Sequence, residues 1–121
     1  MALPGHLKTG LRGEQLTARF LRDKKYKLLE ANYLTKLGET DIIALSPKGV
    51  LCFIEVKTRS PGQMLSPSEA VDRRKEENLK SNAAAFMKAK KMENMPYRFD
   101  IVEVILHDLH TAEFNHIENA F

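Results

Sequence analysis

Two β-rich segments joined by a short turn restrict the fold of this chain more than any other feature of its sequence. Thr40–Leu45 and Val50–Thr58 are rich in β-forming residues, and Pro47–Gly49 between them supplies a turn in which glycine accommodates a positive φ. The segments therefore predict a β-hairpin. Its second arm opens with Val50–Ile54, which is apolar without alternation, as is typical of a central strand buried on both faces.

Helices and further strands are predicted on either side of this hairpin. Apolar positions recur at helical spacing over Thr9–Asp23. A second helix is predicted from Ser66 to about Lys91, because Ser66–Glu69 forms a capping box with proline at the first helical position. The remaining β-rich segments are Tyr26–Leu34, Tyr97–Leu106 and the edge-like Thr111–Ile117. The order predicts one α/β domain over residues 1–121, a mixed five-stranded sheet flanked by two main helices.

Composition and charge exclude several classes of protein. No run of eighteen apolar residues is present, the first residues lack a signal-peptide pattern, and one cysteine cannot form an intrachain disulfide. We expect a cytoplasmic protein. Nineteen Lys and Arg residues stand against sixteen Asp and Glu, a net charge of +3. If several acids are gathered in one site, the remaining surface is more basic, which favours a polyanionic partner.

The charged residues of the hairpin predict a metal site. Folding the hairpin about Lys48 places Ile43 opposite Phe53 and Asp41 opposite Glu55. Because side chains alternate along a strand, Asp41 is predicted to share a face with Ile43. Two carboxylates facing each other on a half-buried sheet repel one another unless a cation lies between them. Mg²⁺ suits such a site, because it prefers oxygen ligands and keeps several waters.

Lys57 lies two residues beyond Glu55, on the same predicted strand face. An ammonium beside the metal orients a water nucleophile and offsets charge that develops on phosphorus. The alternative is a surface hairpin that carries a Glu–Lys pair and an unrelated Asp. The apolar neighbours Ile42–Ile43 and Phe53–Ile54 favour interior strands, where charged residues are seldom buried unless they are paired or functional. We therefore predict an active site for phosphodiester hydrolysis.

These segments resemble the YraN family, small bacterial proteins with a restriction-endonuclease-like fold that is similar to archaeal Holliday-junction resolvases. The matching segments are Gly38–Ala44, Phe53–Arg59, Gly13–Glu14, Ala70–Lys75 and Arg98–Val102. The resemblance extends from about residue 10 to residue 104, and it implies the PD-(D/E)xK nuclease superfamily. Proteins of this fold also include nucleic-acid binders that do not cut.

The resemblance implies a role for each site residue. Asp41 and Glu55 would be metal ligands, Lys57 the catalytic lysine, and Glu14 an accessory acid at the metal. In the first helix Glu14 falls on the apolar side, where the structural alternative is a salt bridge to a core arginine such as Arg98. Two neighbours of Asp41 complete the picture: Glu39 either joins the metal or is a solvated strand-end acid, and Thr40 replaces the aliphatic residue expected there.

Nucleic-acid contacts are predicted at Thr58, Arg59, Arg73 and Lys75, although a basic run on a helix is equally well read as a solvated face. The leading hypothesis is a Mg²⁺- or Mn²⁺-dependent endonuclease acting on DNA, at branched or single-stranded structures. The alternatives are a non-catalytic nucleic-acid-binding module and, more weakly, a protein-interaction domain that uses its edge strand. Analogy with the resolvases suggests a homodimer.

Overall fold

Two helices and five strands make up the part of the chain that the structure, a computed structural model, describes: residues 5–62, 72–108 and 110–121, with side chains from residue 10 onward. In chain order they are α1 (Gly5–Asp23), β1 (Lys27–Thr35), β2 (Gly38–Leu45), β3 (Leu51–Arg59), α2 (Arg73–Ala89), β4 (Tyr97–Leu106) and β5 (Ala112–Ile117). The predicted order of elements is confirmed. Neither described helix is long and apolar enough to span a membrane.

The five strands form one mixed sheet. They lie side by side in sequence order, from β1 to β5. The pair β3–β4 is parallel, and the other three pairs are antiparallel. A parallel pair needs a crossover connection, and α2 lies in the segment that joins β3 to β4. This α/β architecture agrees with the restriction-endonuclease-like fold that the sequence predicts.

Strand β3 is buried on both faces, as its unbroken apolar run predicted. Cys52 and Ile54 pack in a cluster with Leu21 of α1. Phe53, on the alternate face, packs in a second cluster with Phe86 of α2. The sheet is therefore a middle layer between two helices, and the far end of β3 carries its charged residues out of this core.

Helix α2 begins at Arg73, later in the chain than predicted. Asp72 is its N-cap, and the Asp72 side chain accepts a hydrogen bond of 2.8 Å from the backbone N–H of Lys75. The predicted capping box, Ser66–Glu69, lies outside the described residues. The described helix has a cap of its own at Asp72, whose backbone is extended, so the prediction of one continuous helix from Ser66 to about Lys91 was wrong.

Gly13 allows α1 to approach β3 closely. A β-carbon at this position would overlap the hydroxyl of Thr58, whereas one at Gly10 would meet nothing within 4 Å. The backbone carbonyl of Gly13 also accepts a hydrogen bond of 2.8 Å from the buried Thr17 hydroxyl. This contact fixes the height of Glu14, the next residue of the helix, above the sheet.

Gly13→Ala should therefore lower the free energy of unfolding by about 1–3 kcal/mol, because overpacking forces the helix away from the sheet. Gly10→Ala is the matched control and should raise it by about 0.5–1 kcal/mol, since alanine is the better helix former in open space. Urea denaturation measures both values. Adding Thr58→Ala to Gly13→Ala removes the overlapping hydroxyl and should restore part of the loss. Equal effects of the two glycine substitutions would contradict the close approach.

Candidate active site

Strands β2 and β3 separate at the position where the predicted acids lie. Ile43 pairs with Phe53, so the predicted hairpin register is confirmed, and the ladder ends one step further on, at Ile42 and Ile54. Asp41 and Glu55 occupy the next positions, but they are not a ladder pair. Instead, the Val56 N–H donates a 2.8 Å hydrogen bond to Oδ2 of Asp41. The Asp41 carboxylate thus lies in the gap between the two strands.

Alternation of side chains along β2 breaks at Asp41. Asp41 lines a cavity on the α1 side of the sheet, whereas Ile43 packs on the α2 side. The prediction that these two share a face was wrong. Thr40 also lies on the α2 side, where Asn82 donates a 3.0 Å hydrogen bond to its hydroxyl. In the neighbouring strand, Asn32 at the same level of the sheet has a φ of 51°, and the ladder passes over it, from Ala31 paired with Ile42 to Tyr33 paired with Thr40, without a change of register.

Glu55 is held by two lysines. Its Oε1 lies 2.5 Å from Nζ of Lys75 and 3.5 Å from Nζ of Lys57, and the carboxylate is buried. Burial and the neighbouring Lys75 ammonium lower the pKa of Lys57, although Glu55 opposes this. For Lys75 burial also lowers the pKa, but the contacts with Glu55 outweigh it and raise the pKa overall. Lys75 was expected to contact nucleic acid, and the structure brings it to Glu55.

Glu14 approaches the gap from α1. With its side-chain amide oriented to satisfy its hydrogen bonds, Asn32 donates to Oε2 of Glu14 and to Oε1 of Glu39, each at 3.2 Å. Glu39 is exposed and so reaches the site through Asn32. The alternative partner for Glu14, Arg98, is excluded, because Arg98 pairs with other acids, Asp100 at 3.0 Å and Glu118 at 3.3 Å. Asn32 is the residue that the sequence analysis missed, and its only sequence signal is an asparagine inside a predicted strand.

The three acids influence one another electrostatically. Burial, together with the negative charge of Glu55, raises the pKa of Asp41 to about 7, and Glu14 adds to this effect. Burial also raises the pKa of Glu14, and the charges of Glu39 and Glu55 add to it. Glu14 thus approaches from the α1 side, Glu55 from the α2 side with Lys75, and Asp41 lies between them.

The donor set fits a hard divalent cation. All three acids offer carboxylate oxygens. The pKa of Asp41 is raised because burial and the neighbouring acids outweigh the positive charge of Lys75, and a bound metal would supply further positive charge. Within residues 5–62, 72–108 and 110–121, no three His, Cys, Asp or Glu side chains already form a group that could enclose a metal. A cation bound here would have to draw the acids together from the two sides of the sheet.

The four predicted nucleic-acid contacts are found in different environments. Thr58 lies half-buried beneath Gly13 of α1. The Arg59 guanidinium donates to the Thr58 backbone carbonyl at 3.2 Å. Arg73 is exposed on α2, 3.7 Å from Glu77. Lys75 is engaged by the buried carboxylate, so among these four only Arg73 presents a largely exposed side chain.

Comparison with known proteins gives one family. A model of the uncharacterised protein family UPF0102 matches residues 13–104, a segment that includes every site residue described above. A UPF0102 protein of Alkaliphilus oremlandii is 40% identical over 116 residues, covering 94% of this chain and 97% of the relative. One of Syntrophomonas wolfei is 41% identical over 112 residues, covering 93% and 96%. A third, of Trichlorobacter lovleyi, is 35% identical over 117 residues, covering 97% and 92%.

Proposed function

This chain belongs to the uncharacterised protein family UPF0102, the YraN family, and from the site it carries we propose that it is a Mg²⁺- or Mn²⁺-dependent endonuclease that hydrolyses phosphodiester bonds in DNA. One observation carries the proposal: the gap between β2 and β3 gathers a buried Glu55, two lysines and an Asp41 whose pKa is raised to about 7. Binding alone requires neither a buried carboxylate close to a second acid nor a lysine beside it. Perturbed acids and bases in a cleft are typical of catalytic sites.

Each residue has a distinct role in this reaction. Asp41, Glu55 and Glu14 would hold the cation, which supplies charge neutralisation and a more acidic bound water. Lys57 orients the attacking water and offsets the negative charge that develops on the scissile phosphate. Lys75 is a positioning residue, since its Nζ fixes the Glu55 carboxylate from the α2 side. Asn32 performs the same task for Glu14 on the other side.

A second candidate function is a non-catalytic nucleic-acid-binding module. It is favoured by one observation, the engagement of Glu55 by Lys75, which neutralises the carboxylate without any metal. In such a protein the acids would serve folding, and the basic side chains would neutralise phosphates. Both candidates predict DNA binding that weakens as salt is raised, because phosphate neutralisation releases counterions.

Incubating the pure protein with branched, single-stranded and duplex DNA in Mg²⁺, Mn²⁺ or EDTA separates the two candidates. We expect cleavage only with metal. Glu14→Gln should abolish the cleavage while DNA affinity stays equal or rises, because a negative charge leaves the cleft. Glu93→Gln, at an exposed turn position, is the matched control and should cleave like wild type. Binding without cleavage under every condition, or a Glu14→Gln protein as active as the control, would contradict the proposal.

A further inference from the structure

A cavity of about 450 Å³ lies between α1 and the strands β1 and β2, beside the candidate active site. Glu14 and Asp41 belong to its wall as well as to the site. Its apolar lining comes from both layers and includes Leu11, Ala18, Leu28 and Ile42. A volume of several hundred Å³ with a mostly apolar lining and a few polar groups is typical of a small-molecule site. Leu11 is 45% exposed, which leaves the cavity with an apolar rim open to solvent.

We propose that this cavity receives one unpaired base of the DNA strand, the base adjacent to the phosphate held at Asp41 and Glu55. The inference rests on the proposed function, which places that phosphate at the acids. A nucleobase is uncharged, with two flat apolar faces and a polar edge. The apolar lining matches the faces, and the amide of Gln15 on the same wall offers donors and an acceptor to the edge.

The charge of the wall argues for a base over other occupants. Glu14, Asp41 and Glu30 place three carboxylates in the lining against one cation, Arg22, so the wall as a whole repels a free anion. A fatty chain or an apolar side chain from a partner protein would bury these acids without hydrogen bonds, which is unfavourable. A base is uncharged and is attached to a phosphate that is bound outside the cavity. The cavity therefore does not have to attract an anion in order to receive the base.

This assignment defines the substrate class. A base within an intact duplex must be unpaired and unstacked before it can enter such a pocket, and an already unpaired base requires the least energy. The cavity therefore selects single-stranded DNA, or a branched structure with an unpaired nucleotide beside the scissile phosphate. Uninterrupted duplex is the poorest substrate.

The test changes the two partners independently: the base is removed from the oligonucleotide, and the cavity is filled in the protein. Single-stranded oligonucleotides of one sequence, each with one abasic residue at a successive position, are bound to the protein in Ca²⁺ and measured by fluorescence anisotropy. In wild type, loss of the base at one position should weaken binding about tenfold, the order expected when the apolar faces of one base are no longer buried against the aliphatic lining. Ala18→Leu fills the cavity. This variant should therefore bind the intact oligonucleotide as weakly as wild type binds the sensitive abasic one, and its affinity should be the same at every abasic position. Ala84→Leu, on an exposed face of α2, should behave like wild type.

The abasic scan on wild type stands even if Ala18→Leu fails to fold. No sensitive position, no binding to any oligonucleotide, or full discrimination retained by a folded Ala18→Leu protein overturns the inference. Cleavage in Mg²⁺ or Mn²⁺ is measured on the same oligonucleotides as a separate readout. If one abasic position weakens binding but no oligonucleotide is cleaved, the assignment of the cavity is supported and the proposed nuclease function is contradicted. If all oligonucleotides are cleaved at the same rate whatever the abasic position, the nuclease function is supported and the assignment of the cavity is contradicted.

Discussion

Asp41→Asn should abolish metal-dependent cleavage, by at least about a hundredfold, and should stabilise the protein in the absence of metal. Asparagine keeps a carbonyl oxygen for the Val56 N–H but cannot ionise. In wild type the pKa of Asp41 is about 7 when folded, above its ordinary value of 3.8. A group with a raised folded pKa gives its full stability below the unfolded pKa and loses it as the pH rises through the folded value. The free energy of unfolding of the wild type therefore decreases between about pH 4 and pH 7, and Asp41→Asn should not show this decrease because asparagine cannot ionise.

Urea denaturation across this pH range in EDTA gives the first measurement, and melting temperature with and without Mg²⁺ or Mn²⁺ gives the second. Metal should raise the melting temperature of wild type, because it binds only the folded state, and should leave Asp41→Asn unchanged. Asp23→Asn, an exposed acid at the end of α1, is the control and should follow wild type in both. An equal metal-induced shift in wild type and Asp41→Asn would show that the cation binds elsewhere.

The register of the hairpin could be predicted from sequence because a turn and an apolar pattern specify it jointly. Pairing of Ile43 with Phe53 follows from a three-residue loop, and a slip by one residue would pair side chains that lie on opposite faces of the sheet. The burial of β3 on both faces could also be predicted, because its apolar run is unbroken and so offers apolar side chains to both faces of the sheet. Patterns that repeat along an element predict which face of that element is buried.

The interior of the site could not be predicted in this way. Asp41 lies on the unexpected side, next to a strand in which Asn32 adopts a positive φ, and the alternation of residues within β2 does not indicate either feature. The contact between Lys75 and Glu55 depends on where α2 begins and how it packs, so a distance of 2.5 Å joins residues twenty positions apart. The position of Glu14 on the apolar side of α1 was visible from sequence, whereas its link to Asn32 required the packed structure.

The two lysines on Glu55 should behave differently when each is replaced. Lys57→Met should lower the single-turnover cleavage rate by about 10²–10³-fold with DNA affinity nearly unchanged, if its ammonium acts mainly on the transition state. Lys75→Met removes the nearer partner of a buried carboxylate. It should lower the free energy of unfolding by about 1–2 kcal/mol at pH 7, a value reduced because Lys75 is itself partly exposed. Methionine keeps most of the length of each side chain, so packing changes little.

Lys75→Met should therefore reduce the cleavage rate less than Lys57→Met does. Higher Mg²⁺ should restore part of the rate of Lys75→Met, since a bound cation can replace the positive charge that Lys75 placed beside Glu55. The same addition should not restore Lys57→Met, because a metal bound by the carboxylates cannot take the place of an ammonium aimed at phosphorus. Lys80→Met, on the exposed face of the same helix and paired with Glu76 at 2.9 Å, is the control. Parallel losses of cleavage and affinity in Lys57→Met would make Lys57 a phosphate-binding residue. Equal rescue of both variants by Mg²⁺ would mean that the two lysines do nothing more than neutralise Glu55.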